Sequence, residues 1–201
     1  MSSNSVVAIT PTAGEPRRHR RQEETFRKVL TAGMEMLRET SYADLTVRAV
    51  AKRANVAPAT AYTYFSSKNH LVAEVYLDLI KQVPFFTDVN DTLRTRVDNA
   101  LRHLALVVAD DPEVAAACTT ALMDGHDPAV RGVRDRIGAE IHRRIASAAG
   151  PDVDPRTVGA LEMTFFGALV QAGSGAFTYR QIIDRLAYAA GLILPGNTGE
   201  Q

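Results

Sequence analysis

The chain has 201 residues, of which 46% are hydrophobic and 23% are charged, a composition typical of a globular protein rather than a disordered one. No apolar run reaches the roughly 18 residues that a membrane-spanning helix needs, and the run at residues 6–9 is too short for a secretory signal. The single cysteine, Cys118, excludes an internal disulfide and fits a reducing cytosol. We therefore expect a cytoplasmic protein that does not enter a membrane.

The net charge of zero hides an uneven distribution along the chain. Residues 1–70 contain 11 lysines and arginines against 6 acidic residues, whereas residues 71–201 contain 12 against 17. Chance scatter is one interpretation of this asymmetry. The other, which we favour, is that the basic half of the chain meets a polyanion.

The first predicted features in chain order are a tail and a basic run. Residues 1–16 are mostly small and polar, which is typical of a disordered tail. The basic run follows at residues 17–21, and its arginines are Arg17, Arg18, Arg20 and Arg21. Such a run is often only a solvated surface. Beside a DNA-binding motif, it is better interpreted as a mobile arm that reaches backbone phosphates or the minor groove.

Helical periodicity then predicts a first helix of about five turns, followed by a loop at residues 41–44. Its apolar stripe is Phe26, Val29, Leu30, Gly33, Met34 and Leu37. Thr46 is a good N-cap for a second helix. Asn55 tolerates a left-handed backbone and predicts a tight turn, and Pro58 fits the first turn of a third helix.

The rest of the chain also has helical patterns. Ser66 or Ser67 is predicted to cap a fourth helix, which Pro84 ends. Three Asp-Pro pairs predict further helix starts near residues 112, 128 and 155, and they are Asp111-Pro112, Asp127-Pro128 and Asp154-Pro155. No segment alternates in the manner of a strand. The predicted fold class is therefore all-α, with about nine helices.

Residues 46–68 have the pattern of a helix-turn-helix, two short helices around a tight turn. On the helix that begins at Pro58, Ala61 and Phe65 are predicted to face the core. The remaining surface consists of Ala59, Thr60, Tyr62, Thr63 and Tyr64. Threonine can meet a base edge, whereas tyrosine hydroxyls and Lys68 suit phosphate oxygens. The alternative for the two tyrosines is half-buried packing.

The stretch from Phe26 to Leu71 resembles the N-terminal domain of the TetR/AcrR family of bacterial transcriptional repressors. The resemblance is carried by residues 45–51 (Leu-Thr-Val-Arg-Ala-Val-Ala) and 62–68 (Tyr-Thr-Tyr-Phe-Ser-Ser-Lys). It implies backbone or base contacts by Thr46 and Arg48. It implies base contacts by Pro58, Ala59, Thr60 and Thr63, and phosphate contacts by Tyr62, Tyr64 and Lys68. The chain departs from the family at Asn55, often Gly there, at Ala57, often Ser, and at Ala59, often Gly.

The resemblance also implies an organisation and a function. Residues 17–83 form the helix-turn-helix domain, and residues 84–201 bind an effector and form the dimer. The protein is then a ligand-responsive regulator, most often a repressor, that binds a palindromic double-stranded DNA operator as a homodimer. A small hydrophobic or amphipathic effector releases it. No cofactor or metal is expected, and the place of action is the bacterial cytoplasm, at the nucleoid.

Two sets of candidate residues follow for the C-terminal half. Bulky or adaptable side chains on the middle helices are candidates for the effector pocket: Phe86, His103, Val107, Cys118, Met123 and Phe166. Apolar residues of the last two helices are candidates for the dimer interface: Phe165, Leu169, Ala172, Ile182, Leu186 and Ala190. The alternative for both sets is an ordinary internal core.

Two other classes of function were weighed against DNA binding. An enzyme would need a recognisable constellation, and the sequence has no Gly-rich phosphate loop, no paired Cys/His ligands and no nucleophile with evident partners. The chain is therefore predicted not to be an enzyme. A helical adaptor, or a helix-turn-helix protein without ligand regulation, is the remaining alternative.

Overall fold

The structure is a computed structural model that describes residues 15–123 and 126–194, with side chains from residue 19 onward. Within those ranges it consists of nine α-helices and contains no strand, which confirms the all-α prediction. The helices are α1 (Glu15–Glu39), α2 (Val47–Arg53), α3 (Pro58–Tyr64), α4 (Lys68–Gln82), α5 (Leu93–Leu106), α6 (Pro112–Leu122), α7 (Pro128–Ala149), α8 (Pro155–Gly173) and α9 (Tyr179–Ile193). None of these helices is long and apolar enough to cross a bilayer.

The basic run at residues 17–21 lies inside α1, so the prediction of an arm preceding the first helix was wrong. Arginine and glutamate are good helix formers, and Pro16 falls in the first turn, where it does no harm. Ion pairs one turn apart add support, with 3.5 Å between Arg20 and Glu24 and 3.5 Å between Arg27 and Glu23. Most of the predicted tail, residues 1–14, lies outside the described residues.

Local capping confirms the predicted boundaries of the helix-turn-helix. The Thr46 side chain accepts a hydrogen bond from the backbone N–H of Ala49 at 3.1 Å, as an N-cap residue does. Asn55 has a φ of 53°, which gives the left-handed turn between α2 and α3. Ser67, rather than Ser66, caps α4, because its hydroxyl accepts from the N–H of His70 at 3.0 Å.

The three Asp-Pro pairs begin helices where predicted, but only two of the aspartates act as caps. The carboxylate of Asp127 accepts from Ala129 N–H at 2.9 Å, and that of Asp154 accepts from Arg156 N–H at 2.8 Å. Asp111 makes no such bond, and the predicted cap was wrong. Its carboxylate instead accepts from the Arg38 guanidinium at 2.9 Å, because a charged donor forms a stronger hydrogen bond than a backbone N–H.

The helices form one continuous apolar core, within which α4 joins two regions. We call α1–α3 the head and α5–α9 the body. Helix α4 packs against α1 of the head and against α6 and α7 of the body, and eight of its residues are buried. The body is closed by contacts of α5 with α7 and α9, and of α8 with α9.

A buried arginine fixes the end of α4 to α7. Arg144 is only 2% exposed, and its guanidinium donates to the carbonyl oxygens of Lys81 at 2.7 Å and Val83 at 3.0 Å. These carbonyls are among those left without partners at a helix C-terminus. Glu140 accepts from the same guanidinium at 2.5 Å and balances its charge. The connection from head to body is therefore rigid at this point.

Candidate DNA-binding surface and ligand cavity

The recognition helix α3 is held by one face and exposed on the other. Ala61 and Phe65 are fully buried, and the Phe65 ring stacks on the Phe26 ring of α1 with 5.0 Å between centroids. The opposite face exposes Pro58, Ala59, Thr60, Tyr62 and Thr63. Tyr62 is 51% exposed and so is not a packing residue within the chain. The residues that sequence reasoning assigned to bases thus share one exposed surface.

The start of α2 borders the same surface. Thr46 and Arg48 are both exposed, and they line a groove that ends at Pro58 at the start of α3. Lys52 lines this groove as well, which the sequence analysis missed. The signal was available, since Lys52 is a basic residue in the last turn of a short helix that leads into the turn.

Tyr64 and Lys68 are placed differently from the other candidates. The Tyr64 ring meets the Phe26 ring edge-on, with 6.0 Å between centroids, so this tyrosine is half-buried. The ammonium group of Lys68 donates to the carbonyl oxygens of Tyr42 at 3.0 Å and Ala43 at 3.4 Å. It also lies 4.4 Å from the centre of the Tyr42 ring. Lys68 therefore holds the loop between α1 and α2. These two hydrogen bonds use two of the three N–H donors of its ammonium group.

The hydroxyl of Thr63 is oriented by its own helix. It donates to the carbonyl oxygen of Thr60 at 2.6 Å, which uses its only hydrogen. Its oxygen lone pairs and its methyl group remain directed away from that bond. Thr63 can therefore accept a hydrogen bond or make an apolar contact.

Ala57, where the family often has Ser, provides no side-chain cap to α3.

A cavity of about 300 Å³ lies within the body, between α4, α6, α7 and α8. Its lining is Tyr76, Val108, Cys118, Thr119, Leu122, Met123, Arg134, Ile137, Ile141, Phe166, Leu169, Val170 and Tyr179. Apart from Arg134, these described residues are uncharged. Burial raises the pKa of the Cys118 thiol to about 12, and burial also raises the pKa of Tyr76 and of Tyr179. These three groups are therefore neutral at pH 7.

The cavity brings together three of the six predicted pocket residues, Cys118, Met123 and Phe166. The other three, Phe86, His103 and Val107, do not line it. The Phe86 and His103 rings pack on each other with 4.6 Å between centroids, and His103 is exposed. Arg134, Tyr76 and Tyr179 were not among the predicted pocket residues, because a cavity is a gap between several helices that the periodicity of one helix does not reveal.

Polar contacts connect the head and α4 to the body near this cavity. The Ser67 hydroxyl donates to Asp127 at 2.7 Å, so the N-cap of α4 is bonded to the N-cap of α7. This donation lowers the pKa of Asp127, and backbone N–H groups of α7 lower it further. The buried carboxylate of Glu74 accepts from Arg136 and lies 3.5 Å from His70. Burial raises the pKa of Glu74, but the His70 and Arg136 partners outweigh it, so the net shift is downward.

Five of the six predicted dimer residues are buried inside the chain, so the prediction was wrong for these five, whereas Leu169 is half-buried and stays a candidate. Phe165, Ala172, Ile182, Leu186 and Ala190 are buried within the body, and Leu169 lines the cavity. An amphipathic helix buries its main apolar stripe against its own core first. The outward faces of α8 and α9 instead expose other large apolar groups, namely Met163, Tyr188 and Leu192.

Comparison with known proteins agrees with this geometry. The sequence model of the tetR family of bacterial regulatory proteins matches residues 29–75, from the middle of α1 to the middle of α4. The chain is 72% identical to the HTH-type transcriptional regulator Rv0767c of Mycobacterium tuberculosis, over 96% of this chain and 95% of that protein. The chain belongs to the TetR family.

Two further TetR-family comparisons bear on the fold and on the kind of regulator. A crystal structure of a TetR transcriptional regulator from Rhodococcus sp. RHA1 has a TM-score of 0.72 at 23% identity and covers 87% of this chain and 97% of that one. The HTH-type transcriptional repressor KstR of Rhodococcus jostii is 28% identical over 77% of this chain and 73% of that protein. The chain is thus a transcriptional regulator with the TetR fold.

Proposed function

We propose that this TetR-family regulator is a ligand-responsive repressor. Two copies bind a palindromic operator, and a small hydrophobic or amphipathic effector in the body releases them. One observation carries the proposal: a single chain combines an exposed, firmly anchored recognition helix with a largely apolar cavity, and α4 contacts both regions. The repressor name of the relative KstR supports repression rather than activation.

The exposed surface of α3 enters the major groove in this proposal. Thr60 and Thr63 meet base edges, while Tyr62 and Arg48 contact phosphates. Because the hydroxyl hydrogen of Thr63 is already donated to Thr60, its oxygen is the available polar group. An acceptor oxygen favours the amino groups of adenine or cytosine. Arg17, Arg18, Arg20 and Arg21 contact phosphates from the extension of α1 rather than from an arm.

The dimer forms through the outward faces of α8 and α9. The two helices contact each other, and both expose large apolar side chains, a feature that often marks an interaction surface when it forms a contiguous patch. Met163 is 76% exposed on α8, and Leu192 is 72% exposed on α9. A two-fold pairing of these helices places the two recognition helices in a symmetric arrangement, which requires a palindromic site.

Release of DNA passes through the junction of α4 with the body. The cavity is lined by Leu122 and Met123 at the end of α6, a few residues before Asp127. Asp127 accepts a hydrogen bond from Ser67, which lies two residues after the buried Phe65 at the end of the recognition helix. An effector that shifts the end of α6 changes the position of α3 and thus the spacing of the two heads. Coupling of this kind is typically about 1–3 kcal/mol.

Selection of binding sites from random duplex DNA by the full chain tests the proposal. The expected result is a palindrome whose half-sites are about one helical turn apart, bound with strong salt dependence. Thr63→Ala should change the preferred base at one or two positions in each half-site, whereas Val89→Ala, on an exposed loop of the body, should not.

Three other results would lead to different conclusions. Unchanged base preference in Thr63→Ala would remove the base-reading role. Weak binding that does not respond to salt would indicate the helical adaptor. Tight operator binding that no cavity ligand reverses would indicate a helix-turn-helix regulator without ligand control.

A further inference from the structure

Among the residues that the structure describes, one charged side chain of the cavity wall has no carboxylate partner. Arg134 lies on α7 in the cavity wall and is partly exposed. Its guanidinium donates to the carbonyl oxygen of Leu122 at 3.1 Å. Across the described ranges, no carboxylate lies within ion-pair distance of it, and no acidic residue lines the cavity. Its unused N–H groups are therefore available to a ligand.

Nearby arginines of α7 differ from Arg134 in this respect. Arg136 pairs with Glu74, and both Arg143 and Arg144 pair with Glu140. The two of these arginines that reach α4, Arg136 and Arg144, thus both have a carboxylate partner. Binding of an anion to a guanidinium that has no carboxylate partner and lies beside apolar walls is favourable, because charge-assisted hydrogen bonds are stronger away from water.

We propose that the effector is an amphipathic anion, with a carboxylate or phosphate head on Arg134 and an apolar body in the cavity. This inference rests on the proposed function of the cavity as the effector site. The head lies at the partly exposed wall beside Leu122, and the apolar body packs against Ile141, Phe166 and Leu169. A planar guanidinium matches both carboxylate and phosphate oxygens with two parallel N–H donors.

The lining argues against other classes of ligand. A cation would meet the positive charge of Arg134 with no carboxylate to offset it. A neutral ligand would cover apolar surface but leave the guanidinium without a partner. The volume of about 300 Å³ is at the lower end of ligand pockets, which suits a single medium-length apolar body.

Binding of four ten-carbon probes to the full chain, measured by calorimetry without DNA, tests this inference. The probes are sodium decanoate, decyl phosphate, 1-decanol and decylamine, which share a tail and differ in the head. We expect at least one anion to bind about tenfold or more tightly than 1-decanol, since a hydrogen bond to a charged group is worth that ratio or more. Decylamine should bind most weakly. The better of the two anions identifies the head as a carboxylate or a phosphate.

Two variants locate the effect. Arg134→Gln should remove the preference for the anion and leave 1-decanol binding unchanged, which also shows that the cavity has kept its fold. Arg102→Gln, on an exposed position of α5 outside the lining, should behave as the unaltered chain. Arg134→Lys keeps the charge and should retain part of the preference.

The inference is overturned if 1-decanol binds as tightly as both anions, if Arg134→Gln keeps the anion preference, or if none of the four probes binds. Operator release is measured separately in a DNA-binding assay. It distinguishes failure of the anion inference from failure of the proposed function. Equal release by decanoate and 1-decanol would retain ligand control and reject the anion. Binding through Arg134 without release would retain the ligand class and reject the repressor mechanism.

Discussion

Helix α3 and the pair α8–α9 each turn one face to the core and one to solvent, but their outward faces are chemically opposite. The outward face of α3 carries threonine hydroxyls, a tyrosine and two small residues. The outward faces of α8 and α9 carry a methionine, a leucine and a tyrosine that are all more than two thirds exposed. Binding to a DNA groove is favoured by small polar groups at defined positions, whereas binding to a protein partner is favoured by apolar area. The two surfaces therefore suit the two different partners of the proposed function.

The two regions also differ in how they are anchored. Helix α3 has only seven residues and lacks a side-chain N-cap, so it depends on the buried Ala61 and on the buried Phe65 ring, which stacks on the half-buried Phe26 ring. Helices α8 and α9 are longer, with 19 and 15 residues, and both have side-chain caps. The anchoring of α3 thus rests on few buried side chains, with the contact of Phe65 and Phe26 among them, whereas α8 and α9 are longer and capped.

The largest effect is expected from removing that contact. Phe65→Ala should lower the free energy of unfolding by about 3–5 kcal/mol, because it leaves a cavity in a fully packed site. Phe166→Ala removes a ring of equal size that is already 39% exposed, and it should cost much less. Urea unfolding of both variants measures the difference. Equal losses would show that α3 is not held by one anchor.

A charge on the outward face of α8 should act on assembly rather than on folding. Met163→Glu should leave the unfolding of the monomer nearly unchanged, since Met163 is 76% exposed. It should weaken dimerisation by several kcal/mol, because an unpaired carboxylate is costly to bury. Val89→Glu, at a loop position that is 90% exposed, is the matched control. Sedimentation velocity measures the dimerisation of both variants, and urea unfolding measures their stability. A stable Met163→Glu dimer would place the interface elsewhere.

Glu74 should make the contact between α4 and α7 sensitive to acid. Its pKa in the folded chain lies below the usual 4.5, so its contribution to stability is present above that pH and is lost as pH falls through the folded value. At pH 7, Glu74→Gln should cost about 1–2 kcal/mol, because Arg136 and His70 lose a charged acceptor.

Unfolding measured from pH 7 to pH 3 checks the sign of this effect. The stability curves of Glu74→Gln and of the unaltered chain should converge as the carboxylate protonates. A constant difference across the range would indicate lost packing instead of lost charge.

The smallest effect on stability is expected at the contact between Ser67 and Asp127. Asp127→Ser and Asp154→Ser each keep an N-cap oxygen and should each cost less than about 1 kcal/mol. Only Asp127→Ser loses the bond to Ser67, since one short hydroxyl cannot serve both partners. Amide hydrogen exchange should therefore quicken at residues 65–71 in Asp127→Ser alone. Equal exchange in the two variants would argue against this route between body and head.

The sequence predicted features whose partners are close in the chain. Thr46 and Asp154 cap N–H groups within three residues, and the φ of Asn55 depends only on its own backbone. Asp111 was mispredicted because its partner, Arg38, is 73 positions away. The order and type of the helices could be read from periodicity for the same local reason.

The candidate sites divide along the same line. The exposed surface of α3 could be predicted, because one short helix has one buried face. The apolar stripes of α8 and α9 could not be assigned to core or interface, since periodicity does not say which of two apolar faces is covered by the same chain. Nothing in the sequence around Arg134 marks it as a pocket residue, and only the packing of several helices places it in a cavity wall.

Helix α4 limits how far this regulator can be divided into modules. Its side chains are shared: one side completes the core of the head, and another side covers α6 and α7. A fragment cut after Val83, at the predicted domain boundary, would carry Tyr76, Leu77 and Ile80 into water without their body partners. The reading head is therefore not a portable unit, and a chimera with a different sensor would have to bring a matching α4 with it.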